Sequence, residues 1–97
     1  MQRSITMKYT IYQPKQLSFM VESDKKNYSK ESYNKVYAEE ITEDLTNDDI
    51  LEKIFCIFNM HRPEDFKGHS LSVGDIVVLN EQAYICDICG WNKIELN

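Results

Sequence analysis

Residues Leu45–Asn59, read as L-T-N-D-D-I-L-E-K-I-F-C-I-F-N, decide the fold. Leu51, Ile54, Phe55 and Phe58 recur at spacings of three and four, and Ile50 and Ile57 widen the stripe. That spacing lays one apolar face along about three helical turns. Thr46 stands where an N-cap hydroxyl accepts a backbone N–H bond from Asp49. Asp48 and Asp49 follow in the first turn, where the positive end of the helix dipole favours acids. Leu45 and Ile50 are spaced as a hydrophobic staple. Glu52 and Lys53 fall on the polar side, Cys56 sits between apolar positions as a small hydrophobe, and Pro63 forbids continuation beyond the region of Asn59.

A helix with one apolar face must bury it, and the C-terminal third supplies the surface. Asp75–Leu79, D-I-V-V-L, is apolar on both faces, as a central strand covered on each side would be. Asn80-Glu81-Gln82 is short enough for a hairpin loop, Ala83–Asp87 returns as a strand, Gly90 permits a second turn, and Trp91–Leu96 forms the last strand. Upstream, Met7, Tyr9 and Ile11 alternate with Lys8, Thr10 and Tyr12, which is strand periodicity, and Pro14 ends it. Leu17, Phe19 and Val21 alternate again with Ser18, Met20 and Glu22, which predicts a second strand, with a short helical turn as the alternative. Glu22–Ser32 is almost wholly polar and predicts a long loop. Tyr33–Ile41 recovers strand character with imperfect alternation, as in a short or edge strand. The expected fold is α+β, a small antiparallel sheet or half-open barrel with one main amphipathic helix packed on it. Residues 1–97 read as a single domain, since domains run to roughly 100–200 residues.

Composition narrows the function. Sixteen acids against eleven bases give a net charge of −5, and the densest basic group, Lys25, Lys26, Lys30 and Lys35, is diluted by Asp24 and Glu31. Nucleic-acid binding is disfavoured, because phosphate neutralisation by a basic patch supplies most of that affinity. The longest apolar run is five residues, Ile54–Phe58, against the ~18 that a membrane span requires. The first residues are polar and basic, so no secretory signal is expected, and three cysteines without one imply reduced thiols in the cytoplasm. Neither a cofactor nor a membrane contact is expected, and the chain is expected to be monomeric.

Three constellations invite chemistry. Cys86 and Cys89 form a C-x-x-C, but a structural zinc needs two further ligands, and a thioredoxin-like role needs the pair to open a helix rather than lie between strands. Packing accounts for both cysteines, and no metal site is expected. His61, Asp65, His69 and Ser70 suggest a nucleophile set, yet sequence neighbours do not make a triad, and the hydroxyls of Ser70 and Ser72 suit a tight connection anchored by Phe66 and Leu71. No catalytic residue is assigned. Asp75 and Asp87 each adjoin an apolar strand, so each carboxylate is expected to be held by loop N–H groups. Tyr9, Tyr84 and Trp91 are expected to fill the core.

The run Phe58–Val77, F-N-M-H-R-P-E-D-F-K-G-H-S-L-S-V-G-D-I-V, followed by Tyr84, Asp87, Gly90 and Trp91, resembles the signature of the YodL-like domain family of Firmicutes. The blocks Y-T-I-Y-Q, V-Y-A-E-E-I and L-E-K-I-F are similar to the family's earlier segments. Trp91 replaces the usual phenylalanine, and the paired cysteines are a departure. The resemblance implies a domain found alone or on larger proteins of mobile elements, with no established catalytic set. The expectation is a non-catalytic protein-interaction or accessory module, with candidate binding residues His61, Arg62, Asp65, His69, Ser70, Ser72, Asp75, Asp87 and Trp91. Two alternatives stand beside it: a small nucleic-acid-binding barrel of the PUA or ASCH kind, and an enzyme using Asp75, His69 or Ser70.

Overall fold

The computed structural model describes residues 6–15, 27–42, 46–60, 64, 66, 68, 71–87 and 90–97. Strands β1 (Thr6–Pro14), β2 (Asn27–Tyr28) and β3 (Tyr33–Thr42) precede helix α1 (Asn47–Met60), and β4 (Ile76–Leu79), β5 (Gln82–Asp87) and β6 (Gly90–Leu96) follow it. They form one sheet in the order β2-β6-β5-β4-β1-β3. The expected strand at Leu17–Glu22 lies outside the described residues, as does Leu45 of the expected staple.

The two edge strands are consecutive in the chain, joined only through Ser29 and a 3-10 turn at Lys30–Ser32. In a flat sheet of this width the edges would stand ~24 Å apart at 4.8 Å per strand. Five residue steps reach at most about 18 Å. The sheet therefore curls into a half-barrel, and backbone bonds lock the corner: Asn97 N–H to Tyr28 O (2.8 Å), Lys30 N–H to Asn97 O (2.8 Å) and Lys15 N–H to Ser32 O (2.9 Å). Closure corrects the expectation of a purely antiparallel sheet, because β2 pairs with β6 in parallel, Asn27 opposite Glu95 and Tyr28 opposite Leu96. The reason is parity. From β6 through β5, β4 and β1 to β3, the five strands alternate in direction. An odd number of alternating strands brings two of like direction together when the ends meet, and residues 27–42 run from one edge to the other. The part of the polar run at 27–32 is thus a structural clasp rather than a loop.

Helix α1 covers one face. Ile50, Leu51, Ile54 and Phe58 are buried against Met7, Tyr9, Ile11, Val77, Leu79 and Tyr84. Thr46 caps the helix as expected: its Oγ1 accepts the Asp49 N–H (3.2 Å) and its carbonyl the Ile50 N–H (3.0 Å). Cys56 is exposed, a correction with a helical cause. Two residues after Ile54 and two before Phe58, it lies some 200° around the helix from the buried stripe at ~100° per residue. Phe66 and Leu71 anchor the following connection, Phe66 stacking edge-on against Phe58 at a centroid distance of 4.8 Å. Tyr9, Tyr37 and Phe58 complete this aromatic cluster.

The opposite face of the sheet has its own core of Tyr28, Ile76, Ala83, Ile85 and Ile94, with Tyr12 and Tyr33 packed beside it. The residues of β4 divide between the two cores, which is why its sequence is apolar throughout. Among the described residues, no helix is long and apolar enough to cross a membrane.

Candidate functional site: a pinned turn beside a hairpin end

Ser72-Val73-Gly74-Asp75 is a tight turn closed by a bond from the Asp75 N–H to Ser72 O (3.1 Å). Gly74, third in the turn, has φ 99°. Such a conformation is open to glycine and strained for other residues. The chain then enters β4 paired to β5: the Gly74 N–H donates to Cys86 O (2.9 Å), and the Cys86 N–H to Asp75 O (2.8 Å).

Asp75 is 1% exposed and Gln13 3%. The Asp75 carboxylate accepts two bonds at Oδ2, from Gln13 Nε2 (3.0 Å) and from the Ser72 N–H (2.9 Å). A carboxylate withdrawn from water requires such donors, and they fix the turn to β1. Gly68 packs against the same glutamine: a Cβ there would collide with Gln13 Oε1 and touch the Phe66 ring. Gln13 thus bridges Asp75 on one side and Gly68 on the other. It was missed as a site residue, although strand alternation sets it on the same face as Met7, Tyr9 and Ile11.

Cys86 stands opposite Trp91 and beside Asp75, so two distant sequence motifs adjoin at one end of the half-barrel. Trp91 is half-buried and stacks edge-on against Phe55 at 6.4 Å. Asp87 Oδ2 accepts from Asn92 Nδ2 (2.9 Å) on the neighbouring strand β6. Ser72 contributes its amide to Asp75 rather than the expected hydroxyl to a backbone group. Burial, then the carboxylates of Asp75, Asp87 and Glu52, pushes the Cys86 thiol up to about 11. Burial, then Tyr28 and Asp75, pushes the Tyr33 phenol up to about 12. Of the expected site residues, Ser72, Asp75, Asp87 and Trp91 come together here, whereas His61, Arg62, Asp65, His69 and Ser70 lie outside the described residues, as does Cys89. Among the described residues, no three His, Cys, Asp or Glu side chains group as a metal site would need.

A separate concavity of about 520 Å³ opens on the sheet face away from the helix, with Thr10, Tyr12, Val78, Ile94 and Leu96 in its lining and Lys30 and Asn97 among its polar residues. None of the described site residues lines it.

Among the described residues, the fold and the pinned turn define an α+β half-barrel with one helix, and its buried acid is part of the scaffold. The chain belongs to the YodL-like domain family, whose model matches residues 2–96. No curated protein and no solved structure matches it.

Proposed function

We propose that the protein is a non-catalytic, cytoplasmic interaction module that presents the Ser72–Asp75 turn and the adjoining β5–β6 hairpin end to a protein partner. One observation carries this reading. Asp75, the most chemically suggestive acid of the motif, is enclosed and held by Gln13 and the Ser72 amide. A carboxylate so placed stiffens a loop, and a stiff loop on a rigid sheet binds without a large ordering cost. Occurrence on mobile elements of Firmicutes, implied by the family resemblance, suits a small accessory protein.

The polar residues Arg62 and His69, between the helix and the turn in sequence, carry recognition in this reading. Affinity capture from host lysate with wild-type protein and with an Arg62→Ala/His69→Ala variant tests it. The expected result is a partner retained by wild type and lost by the variant at an unchanged melting temperature. A variant that unfolds instead would show the connection to be structural only.

A further inference from the structure

We propose that the outer edge of β3, at Ala38–Thr42, is a strand-addition site for a basic, extended segment of a partner protein, a surface independent of the Ser72–Asp75 turn. The direction of the backbone groups follows from hydrogen bonding on β1. The Asn80 N–H donates to Lys8 O (2.7 Å), and the Lys8 N–H donates to Asn80 Oδ1 (3.1 Å), so Lys8 directs its backbone toward the β4 side. Alternation then turns Met7 and Tyr9 toward β3, where they stand opposite Ile41 and Glu39. The intervening residues Ala38, Glu40 and Thr42 consequently direct their N–H and C=O groups outward. All three are exposed, and β3 is the terminal strand of the sheet among the described residues.

The edge is held ready for pairing. Tyr9 and Tyr37 hydroxyls both donate to Glu39 Oε2 (3.1 and 3.0 Å), fixing β3 to the aromatic cluster beneath it. Exposed edges of this length recruit strands unless blunted. Charge selects the occupant. Every charged residue between Lys35 and Lys53 is acidic, beginning with Glu39 and Glu40 on the edge itself. A second copy is disfavoured, because antiparallel self-pairing centred on Glu39 or Glu40 sets that glutamate opposite its own copy, and like charges directly opposite destabilise a pair. A segment with lysine or arginine at alternate positions meets the same edge with complementary charge.

The test uses the full chain and three labelled octapeptides: alternating lysine and threonine, alternating glutamate and threonine, and the lysine peptide with an adjacent central threonine and lysine both replaced by proline and its terminal threonine by lysine, which blocks either pairing register at equal charge. The lysine peptide is expected to bind and to slow hydrogen exchange of the Ala38 and Glu40 amides at least tenfold. The glutamate and proline peptides are expected not to bind, and Glu40→Lys is expected to weaken the lysine peptide at least tenfold while leaving the melting temperature within a few degrees. Equal binding of the proline peptide would reduce the effect to charge attraction and overturn the proposal. So would absence of binding, binding without protection of those two amides, or a dimer of the free protein in which they are already protected.

Discussion

Gln13 and Asp75, 62 positions apart in the chain, meet through a 3.0 Å hydrogen bond inside the protein. The bond ties the end of β1 to the start of β4, and Asp75 in turn holds the Ser72 amide. Two donors, one from β1 and one from the turn itself, therefore share one buried carboxylate oxygen. Asp75→Asn keeps the shape and an oxygen that can accept both bonds, but it removes the charge that strengthens them; the expected cost is about 1–3 kcal/mol. Gln13→Ala removes the other end of the bond. A double-mutant cycle by urea denaturation should give a coupling of about 0.5–3 kcal/mol. Additive effects would show that the contact contributes nothing of its own.

Gly68→Ala probes the same glutamine from the other side. Its new Cβ meets Gln13 Oε1 and the Phe66 ring, so the glutamine must move off Asp75 or the connection must lift. Overpacking of this kind costs about 1–3 kcal/mol. In a Gln13→Ala background the obstructing amide is gone, and the penalty of Gly68→Ala should fall by at least half. An equal penalty in both backgrounds would place the cause elsewhere.

Gly74→Ala tests the turn. With φ at 99°, an alanine there is strained by about 1–3 kcal/mol. The expected outcome is a lower melting temperature together with faster hydrogen exchange at the Cys86 amide, whose acceptor is Asp75 O. A lower melting temperature without that local change would argue that the strain is relieved outside the turn.

The helix was legible in the sequence because cap, dipole and stripe agreed over consecutive residues. The C-terminal meander was legible because its strands are short, apolar and separated by turn residues. Tyr33–Thr42 was harder to read for an identifiable reason: the pairing slips between Ile11 and Tyr12, so Val36 is an extra residue and both it and Tyr37 pack on the helix-side core. A bulge breaks period two where the strand must twist. The clasp at Asn27–Tyr28 left no periodic signal, since a two-residue strand is recruited through its backbone. Asp75 was foreseeable as a capped acid; its partner Gln13 was not singled out, because composition marks a strand glutamine as polar even when alternation turns it inward.

Phe58 tests the seal between helix and sheet. It is fully buried and packs edge-on against Tyr37, Phe66 and Tyr9. Phe58→Ala should cost about 3–5 kcal/mol. Small domains have roughly 5–15 kcal/mol in all, so the variant should be largely unfolded or marginal by circular dichroism at 37 °C. Thr46→Ala, which removes only the cap, should cost about 1 kcal/mol and leave a cooperative transition. A Phe58→Ala protein as stable as Thr46→Ala would mean that the aromatic cluster does not hold the layers together.

The two described thiols should differ sharply in reactivity. Cys56 is exposed on α1, whereas Cys86 is buried and its thiol is pushed up to about 11, by burial first and then by Asp75, Asp87 and Glu52. The thiolate is the nucleophile, so at pH ~8 Cys86 has almost none available. In a Cys89→Ser background, a thiol-specific disulfide reagent should modify Cys56 promptly and Cys86 only after denaturant is added. The same shift has a consequence for stability. A thiol whose folded pKa lies above its unfolded value favours the folded state while protonated, so its contribution is complete below about pH 9 and lost as pH rises toward 11. The Tyr33 phenol acts in the same sense at higher pH, up to about 12. Denaturation midpoints measured from pH 8 to 11 should therefore fall more steeply for wild type than for Cys86→Ala. Parallel curves, or a Cys86 that reacts as fast as Cys56 in the folded protein, would contradict the burial of that thiol at the junction of Asp75 and β5.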